Sequence, residues 1–205
     1  MWMIDRYGIP PDALISPMPQ RTNKRYPLWQ AQIAVVLLNI HKTLGDDRLI
    51  EAAEKLYGTI LDRERKGGYP AEYFTDDSPS SRVHPAGIVA MAEIEMILKK
   101  KTVHLDMAID MVNSGLFHQY YTPDLKPLSR ELDVMPSAHL GILLLQRGEI
   151  SLAREIMSSL LKWQHPSGGF PGLPGHEKFS TSLYVWDTVW ALRFMAEYRG
   201  GWPGI

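Results

Sequence analysis

Hydrophobic positions along the 205-residue chain fall into long helical runs of two alternating kinds. The stretch YPLWQAQIAVVLLNIHKTLG, from Tyr26 to Gly45, is apolar on most faces. In the next, RLIEAAEKLYGTILDRERK, Leu49, Ala52, Ala53, Leu56, Ile60 and Leu61 form a single stripe at helical spacing. The pattern then returns. PAGIVAMAEIEMILKKK is apolar and VHLDMAIDMVNSGLF amphipathic; PSAHLGILLLQRGEI and SLAREIMSSLLKWQ make a third pair; STSLYVWDTVWALRFMAEY begins a fourth. A helix that is apolar all round must be covered on every side, a striped helix on one side only. The alternation therefore predicts an inner and an outer layer of helices.

Punctuation keeps the same time. Asp46 or Asp47 is placed to cap the second run. Gly67, Gly115 and Gly168 end the amphipathic helices at intervals of 48 and 53 residues, and Pro27, Pro85 and Pro136 open the apolar ones at intervals of 58 and 51. Proline suits a first helical turn because its missing N–H has no intrahelical partner there. A period of roughly 50 residues, one hairpin each, marks a repeat architecture. The tetrads GGYP (67–70), GGFP (168–171) and GGWP (200–203) fit the reversals between repeats. Glycine supplies positive φ, the aromatic packs back on the hairpin, and proline forbids continuation. The expectation is one all-α domain over residues 1–205, with residues 1–25 an extended N-terminal strap and residues 26–205 about three and a half helical hairpins.

Two stretches carry family resemblances. LLKWQHPSGGFPGLPG followed by STSLYVWDTVWALRFM resembles the glutamine-containing, Gly-Gly-aromatic repeat of terpenoid cyclases and protein prenyltransferase β subunits. LGDDRLIEAAEKLYGTIL resembles the hairpin turn of six-hairpin glycosidases, polysaccharide lyases and sugar epimerases, and the Gly-Gly-aromatic-Pro form is similar to that of one family of α/α pectate lyases. Together the resemblances span residues 26 to 200 and imply a partial (α/α) toroid. The isoprenoid chemistry does not follow. TDDS at Thr75–Ser78 lacks the first aspartate of the Asp-x-Asp-Asp acid, there is no cysteine for a prenyltransferase zinc, and DDRLIE sits at a hairpin turn where capping explains it. Seven or eight helices make an arc, not a closed ring, with apolar faces left at both ends. That predicts a homodimer, or a chain that is one part of a longer parent.

Composition narrows the partners. A hydrophobic share of 45% with 22% charged residues is that of a folded domain, and a net charge of −1 gives no global attraction for nucleic acid. The absence of cysteine removes disulfides, thiolate zinc sites and cysteine nucleophiles, and fits a cytoplasmic location. The opening MWMIDRYGIPPDAL lacks the basic and apolar regions of a signal peptide, and the apolar runs are far below the roughly 18–20 residues of a membrane span. A soluble protein with no cofactor and no bound metal is expected. P-loop, dinucleotide and Gly-x-Ser-x-Gly signatures do not occur.

The loops entering the inner helices hold the reactive groups. The candidates for chemistry are Asp76, His84, Arg130, Glu131 and Asp187; those for substrate binding are Trp29, Gln30, Tyr73, Arg82, His139, Tyr184 and Trp186. Carboxylates, Arg, His and aromatics on one rim suit a polyhydroxy ligand: rings stack on sugar faces, guanidinium forks onto uronate carboxylates, and His or a carboxylate moves protons. Structural roles compete. Asp76 equally fits a turn, His84 beside Pro85 a helix start, Arg130 and Glu131 a mutual ion pair, and the tryptophans a core. Asp187 lies in an aromatic, apolar helix, where a carboxylate needs a partner. The reading is a carbohydrate-active, toroid-like protein working by hydrolysis, elimination or epimerisation. The alternatives are an isoprenoid cyclase or prenyltransferase-like protein and a non-catalytic helical-repeat binding module.

Overall fold

The computed structural model describes residues 27–64, 82–112, 115–174, 183 and 185–200. Among the described residues there are seven helices and one two-stranded sheet. They divide into two compact units at Asp106/Met107, with Thr122–Asp124 falling in the first. The N-terminal strap (1–25), the GGYP tetrad with Gly67, most of GGWP and the candidates Tyr73, Asp76 and Tyr184 lie outside the described residues.

In the first unit, helix α1 (Pro27–Leu44) and helix α2 (Asp47–Glu64) form a hairpin, and helix α3 (Pro85–Ile97) packs on α1. The hairpin turns at Gly45, whose φ of +68° few side-chain-bearing residues adopt. Asp46 caps α2, its Oδ1 accepting the Arg48 N–H at 3.1 Å. The predicted stripe forms the contact surface. Leu49, Ala53, Leu56 and Ile60 are fully buried with Tyr57, against Ala31, Ala34 and Leu38 of α1 and Ala90, Met91 and Ile94 of α3. Every residue of α3 from Pro85 to Glu95 is buried, the carboxylates of Glu93 and Glu95 among an otherwise apolar sequence.

The second unit centres on helix α5 (Val134–Arg147), which packs against helix α6 (Ile150–Leu161) and helix α7 (Val185–Gly200). A left-handed Gly148 turns α5 into α6, with the Gly148 and Glu149 N–H groups donating to the Leu145 and Leu144 carbonyls. Helix α4 (Val103–Met111) precedes it. Helix α5 begins two residues before Pro136, so that proline occupies the third helical position; the first-turn amides have no intrahelical acceptor, and the ring is tolerated there as well.

Two differences from the sequence pattern bear on the site. The stretch from Phe117 to Asp133, which reads as loop, closes as a short antiparallel pair, β1 (Phe117–His118) with β2 (Leu132–Asp133). Ser137 pins it: its Oγ accepts from the Phe117 N–H at 2.9 Å and donates to the Asp133 carbonyl at 2.6 Å. Gly115 (φ +84°) and Gly168 (φ +90°) are left-handed, but they stand beyond the last residues of α4 (Met111) and α6 (Leu161), so they turn the following loops and do not end the helices as the sequence pattern predicts. A Cβ on Gly115 would lie 2.9 Å from the Glu155 carbonyl oxygen, so this position also requires close approach to α6. The GGFP tetrad behaves as its composition predicts. Phe170 is fully buried, its N–H donates to Thr188 Oγ1 at 3.0 Å, and the Gln164 amide closes the turn on the Gly168 carbonyl.

Candidate functional site

The site candidates divide between the units. In the first, Trp29 and Gln30 stand in the first turn of α1, and Arg82 and His84 precede α3. Trp29 and Arg82 are exposed. Gln30 is 1% exposed, and among the described residues neither its Nε2 nor its Oε1 has a hydrogen-bond partner. His84 is the N-cap of α3; its Nδ1 accepts from the Ala86 N–H at 3.2 Å. Burial lowers the imidazole to about 4, which keeps it in the neutral form that accepting this bond requires.

In the second unit Arg130 is exposed and Glu131 half-buried. The Glu131 carbonyl accepts from Gln119 N at 2.9 Å, which fixes the loop just before β2. Beyond it, helices α5 and α7 bring three pairs of residues together in step. Asp133, the N-cap of α5, faces Asp187 in the first turn of α7 closely enough for their charges to interact. One to two turns on, the His139 ring stacks on Trp190 with centroids 4.4 Å apart and planes at 31°. Farther on, the Phe194 ring lies where a side chain on Gly141 would stand. The pairs advance together, so α5 and α7 run side by side in one direction and present both N-termini to the carboxylates. Helix N-termini carry partial positive charge, which favours an anion there.

Two carboxylates at one place cannot both ionise freely. Asp133 is raised well above the usual carboxylate range, first by burial and then by the Asp187 charge, with the Met135 N–H pulling the other way. Asp187, 9% exposed, is raised to about 6 by burial, against the Met135 and Asp187 main-chain N–H groups. Of the two, Asp187 ionises first, and its charge then works against ionisation of Asp133. The aromatic surface continues outward along α7, where Trp186, 59% exposed, meets Trp190 edge-on at 6.5 Å. Arg193 lies over the Trp190 ring, its guanidinium carbon 5.2 Å from the centroid.

Of the sequence candidates, Asp187, Trp186 and His139 thus come together in the second unit. Asp133 is the partner that the sequence pattern did not single out. Its only linear signal is its place immediately before the α5 apolar run, the position of an N-cap. Among the described residues no group of three or more His, Cys, Asp or Glu converges to hold a metal ion, and no helix is long and apolar enough to cross a membrane.

Paired apolar and amphipathic helices in hairpins, with left-handed glycines between them, define an all-α fold of the (α/α)-toroid type with inner and outer layers. Solved structures share it. A D-mannose isomerase aligns over 87% of this chain at 14% identity and a TM-score of 0.63, with 56% of its own length covered. A possible member of the GH105 family from Klebsiella pneumoniae aligns over 92% of the chain at 13% identity and a TM-score of 0.62, with 59% of its length covered. Another, from Salmonella enterica serovar Paratyphi A, aligns over 92% at 13% identity and a TM-score of 0.60, with 60% covered. The chain thus spans less than two thirds of the length of these proteins. No family model matches the sequence, and no curated protein does.

Proposed function

We propose that this chain acts on an oligo- or polysaccharide by proton transfer, with Asp133 and Asp187 as the acid–base pair. The observation that carries the reading is the buried pair Asp133 and Asp187 at the N-termini of two parallel inner helices, both raised above the usual carboxylate range, with Asp187 the one that ionises first. Hydrolysis, elimination and epimerisation of sugars all need a group that gives a proton and one that takes it, held at neutral pH in opposite states. Asp133 supplies the acid and Asp187 the base. Trp186 offers an exposed face to a sugar ring, and the His139–Trp190 stack backs it. Carbohydrate-active neighbours with the same fold support the substrate class.

The other candidates take lesser parts. Gln30, Trp29 and Arg82, with Tyr73 and Tyr184, contact substrate; a ligand hydroxyl pair would satisfy the Gln30 amide. Asp76, His84, Arg130 and Glu131 are proposed as further reacting groups, His84 with its Nδ1 committed to the start of α3. The reading treats residues 1–205 as one domain with residues 1–25 as its strap.

A thermal-shift panel of neutral and acidic glycans, with a prenyl diphosphate beside them, tests the substrate class. A rise in Tm with at least one glycan is expected. A shift with the prenyl diphosphate and none with any glycan would move the chain to the isoprenoid class.

A further inference from the structure

The segment 168–174, GGFPGLP, follows α6 and runs largely through the interior: Phe170, Pro171, Gly172 and Pro174 are buried. Loops ordinarily lie at the surface, where water satisfies their main-chain groups. Here the main chain bonds instead beside the two acids. The Phe170 N–H donates to Oγ1 of Thr188, the neighbour of Asp187 in α7, at 3.0 Å. Four residues on, the Pro174 carbonyl accepts from the N–H of Leu132, the neighbour of Asp133, at 2.9 Å. Between these two points Pro171 pairs antiparallel with Leu183, two residues before α7 begins.

One short segment thus grips the backbone next to both carboxylates. Four residues of chain reach no more than about 13–14 Å even when fully extended. Pro171 and Pro174 fix φ and remove slack, and the Gln164 amide and the His165 N–H close the entry on the Gly168 and Gly169 carbonyls at 3.2 and 2.9 Å. Ser137 holds Asp133 from within α5, donating to its carbonyl at 2.6 Å. Two interacting carboxylates repel once ionised, so a buried pair needs a restraint from outside itself. The charged and titratable groups along the packed elements are Asp133 and, farther on, His139 from α5, and Arg193 over Trp190 on α7. The segment itself carries no titratable side chain. Whatever it does to the acids, it does through position.

We propose that the segment 168–174 is a clasp that fixes Asp187 against Asp133, with Thr188 its positioning residue on α7 and Leu132 its anchor before α5; the inference rests on the reading of these two acids as the proton-transfer pair. The Gly-Gly-aromatic-Pro form then serves beyond reversing the chain. The left-handed Gly168 turns it, Phe170 seats it in the core, and the prolines keep the span between its two bonds short.

Thr188→Val keeps the shape of the side chain and removes the acceptor, whereas Thr188→Ser keeps the acceptor. A glycine inserted after Gly172 lengthens the span and leaves both bonding groups in place. Carboxyl NMR titration of Asp187, its signal assigned by its absence in Asp187→Asn, reads the placement of the acid, because burial is what raises it. The midpoint should stand at about 6 in the natural chain and in Thr188→Ser. It should fall toward 3.8 in Thr188→Val and in the lengthened chain, with helical circular dichroism unchanged. A natural midpoint already near 3.8, or variants that lose Tm and keep the natural midpoint, would overturn the proposal. So would a chain that both changes unfold, since the segment then serves the fold and not the pair. The titration needs no substrate. A midpoint that moves in a chain binding no glycan leaves the clasp standing and removes the sugar reading; glycan binding with an unmoved midpoint does the reverse.

Discussion

At the scale of single residues, Asp187 separates chemistry from architecture. Its folded pKa, about 6, lies above the ordinary 3.8, so the fold binds its proton more tightly than the unfolded chain does. The stabilising contribution is complete below pH 3.8 and is lost as pH rises through about 6. Near neutrality the ionised group therefore works against the fold. Asp187→Asn should raise stability at pH 7–8 by up to about 3 kcal/mol, the scale set by a shift of roughly two units. Turnover should fall by roughly 10²–10⁴, the usual worth of a general base. A higher Tm with lost activity is the signature of a strained functional carboxylate. A lower Tm would mean that Asp187 serves the fold instead. In the natural protein, activity should climb with pH through about 6 as Asp187 ionises.

The left-handed glycines were readable one residue at a time, though not as the ends of their helices. Gly168 sits at φ +90° with open space around its Cβ direction, so Gly168→Val tests the backbone alone. It should cost about 1–3 kcal/mol, measured by urea unfolding. Asp133 was not readable in this way. Its burial and its interaction with Asp187 join positions far apart in the chain, and a single position before a helix looks the same whether it caps or catalyses.

At the scale of elements, the first unit is tied by a buried charge. The His104 ring of α4 donates through Nδ1 to Glu95 of α3 at 2.6 Å and through Nε2 to Glu64 of α2 at 2.9 Å. Tyr57 adds its hydroxyl to Glu95 at 3.1 Å. Burial disfavours the charged imidazole, but the hydrogen bonds and charges of Glu64 and Glu95 together outweigh it and lift His104 to about 9. The stabilisation is full below pH 6.5 and is lost as pH rises through about 9. The melting temperature should therefore fall between pH 7 and 10, by the equivalent of about 1–3 kcal/mol. His104→Gln should start lower and lose this slope; an unchanged slope would place the pH dependence elsewhere. Sequence showed this helix only as amphipathic. Three chain segments meet at His104, and no period in the sequence announces their meeting.

The packing of α5 on α7 is the element that holds the carboxylate pair. At Gly141 the Phe194 ring fills the space that a side chain would take. Gly141→Val should push the helices apart, costing about 1–3 kcal/mol as overpacked cores do, and should cut activity even though no reacting group changes. Loss of stability with full activity would show that the helix spacing does not set the site. The pairing of these two helices was implied by the period of the apolar runs. The short β1–β2 pair beside them was not, since it rests on Ser137 bonding at both ends and on two residues per strand.

At the scale of the whole molecule, the layered helical architecture was legible because it is written in periodic burial and in glycine and proline, which act locally. The candidate groups were visible only as a class of side chains on loops, and which of them react is a proposal. What the fold adds is the selection among them: Asp187 with Asp133, and Trp186 with Trp190 and His139, out of a longer roll of acids, bases and aromatics. The central claim is that a sugar binds there. A structure of Asp187→Asn with the glycan that most raises the natural protein's Tm tests it most directly. The account predicts a sugar oxygen within hydrogen-bonding reach, about 2.6–3.2 Å, of position 187 or of Asp133, and a sugar ring stacked on Trp186. A glycan bound away from both carboxylates would contradict it.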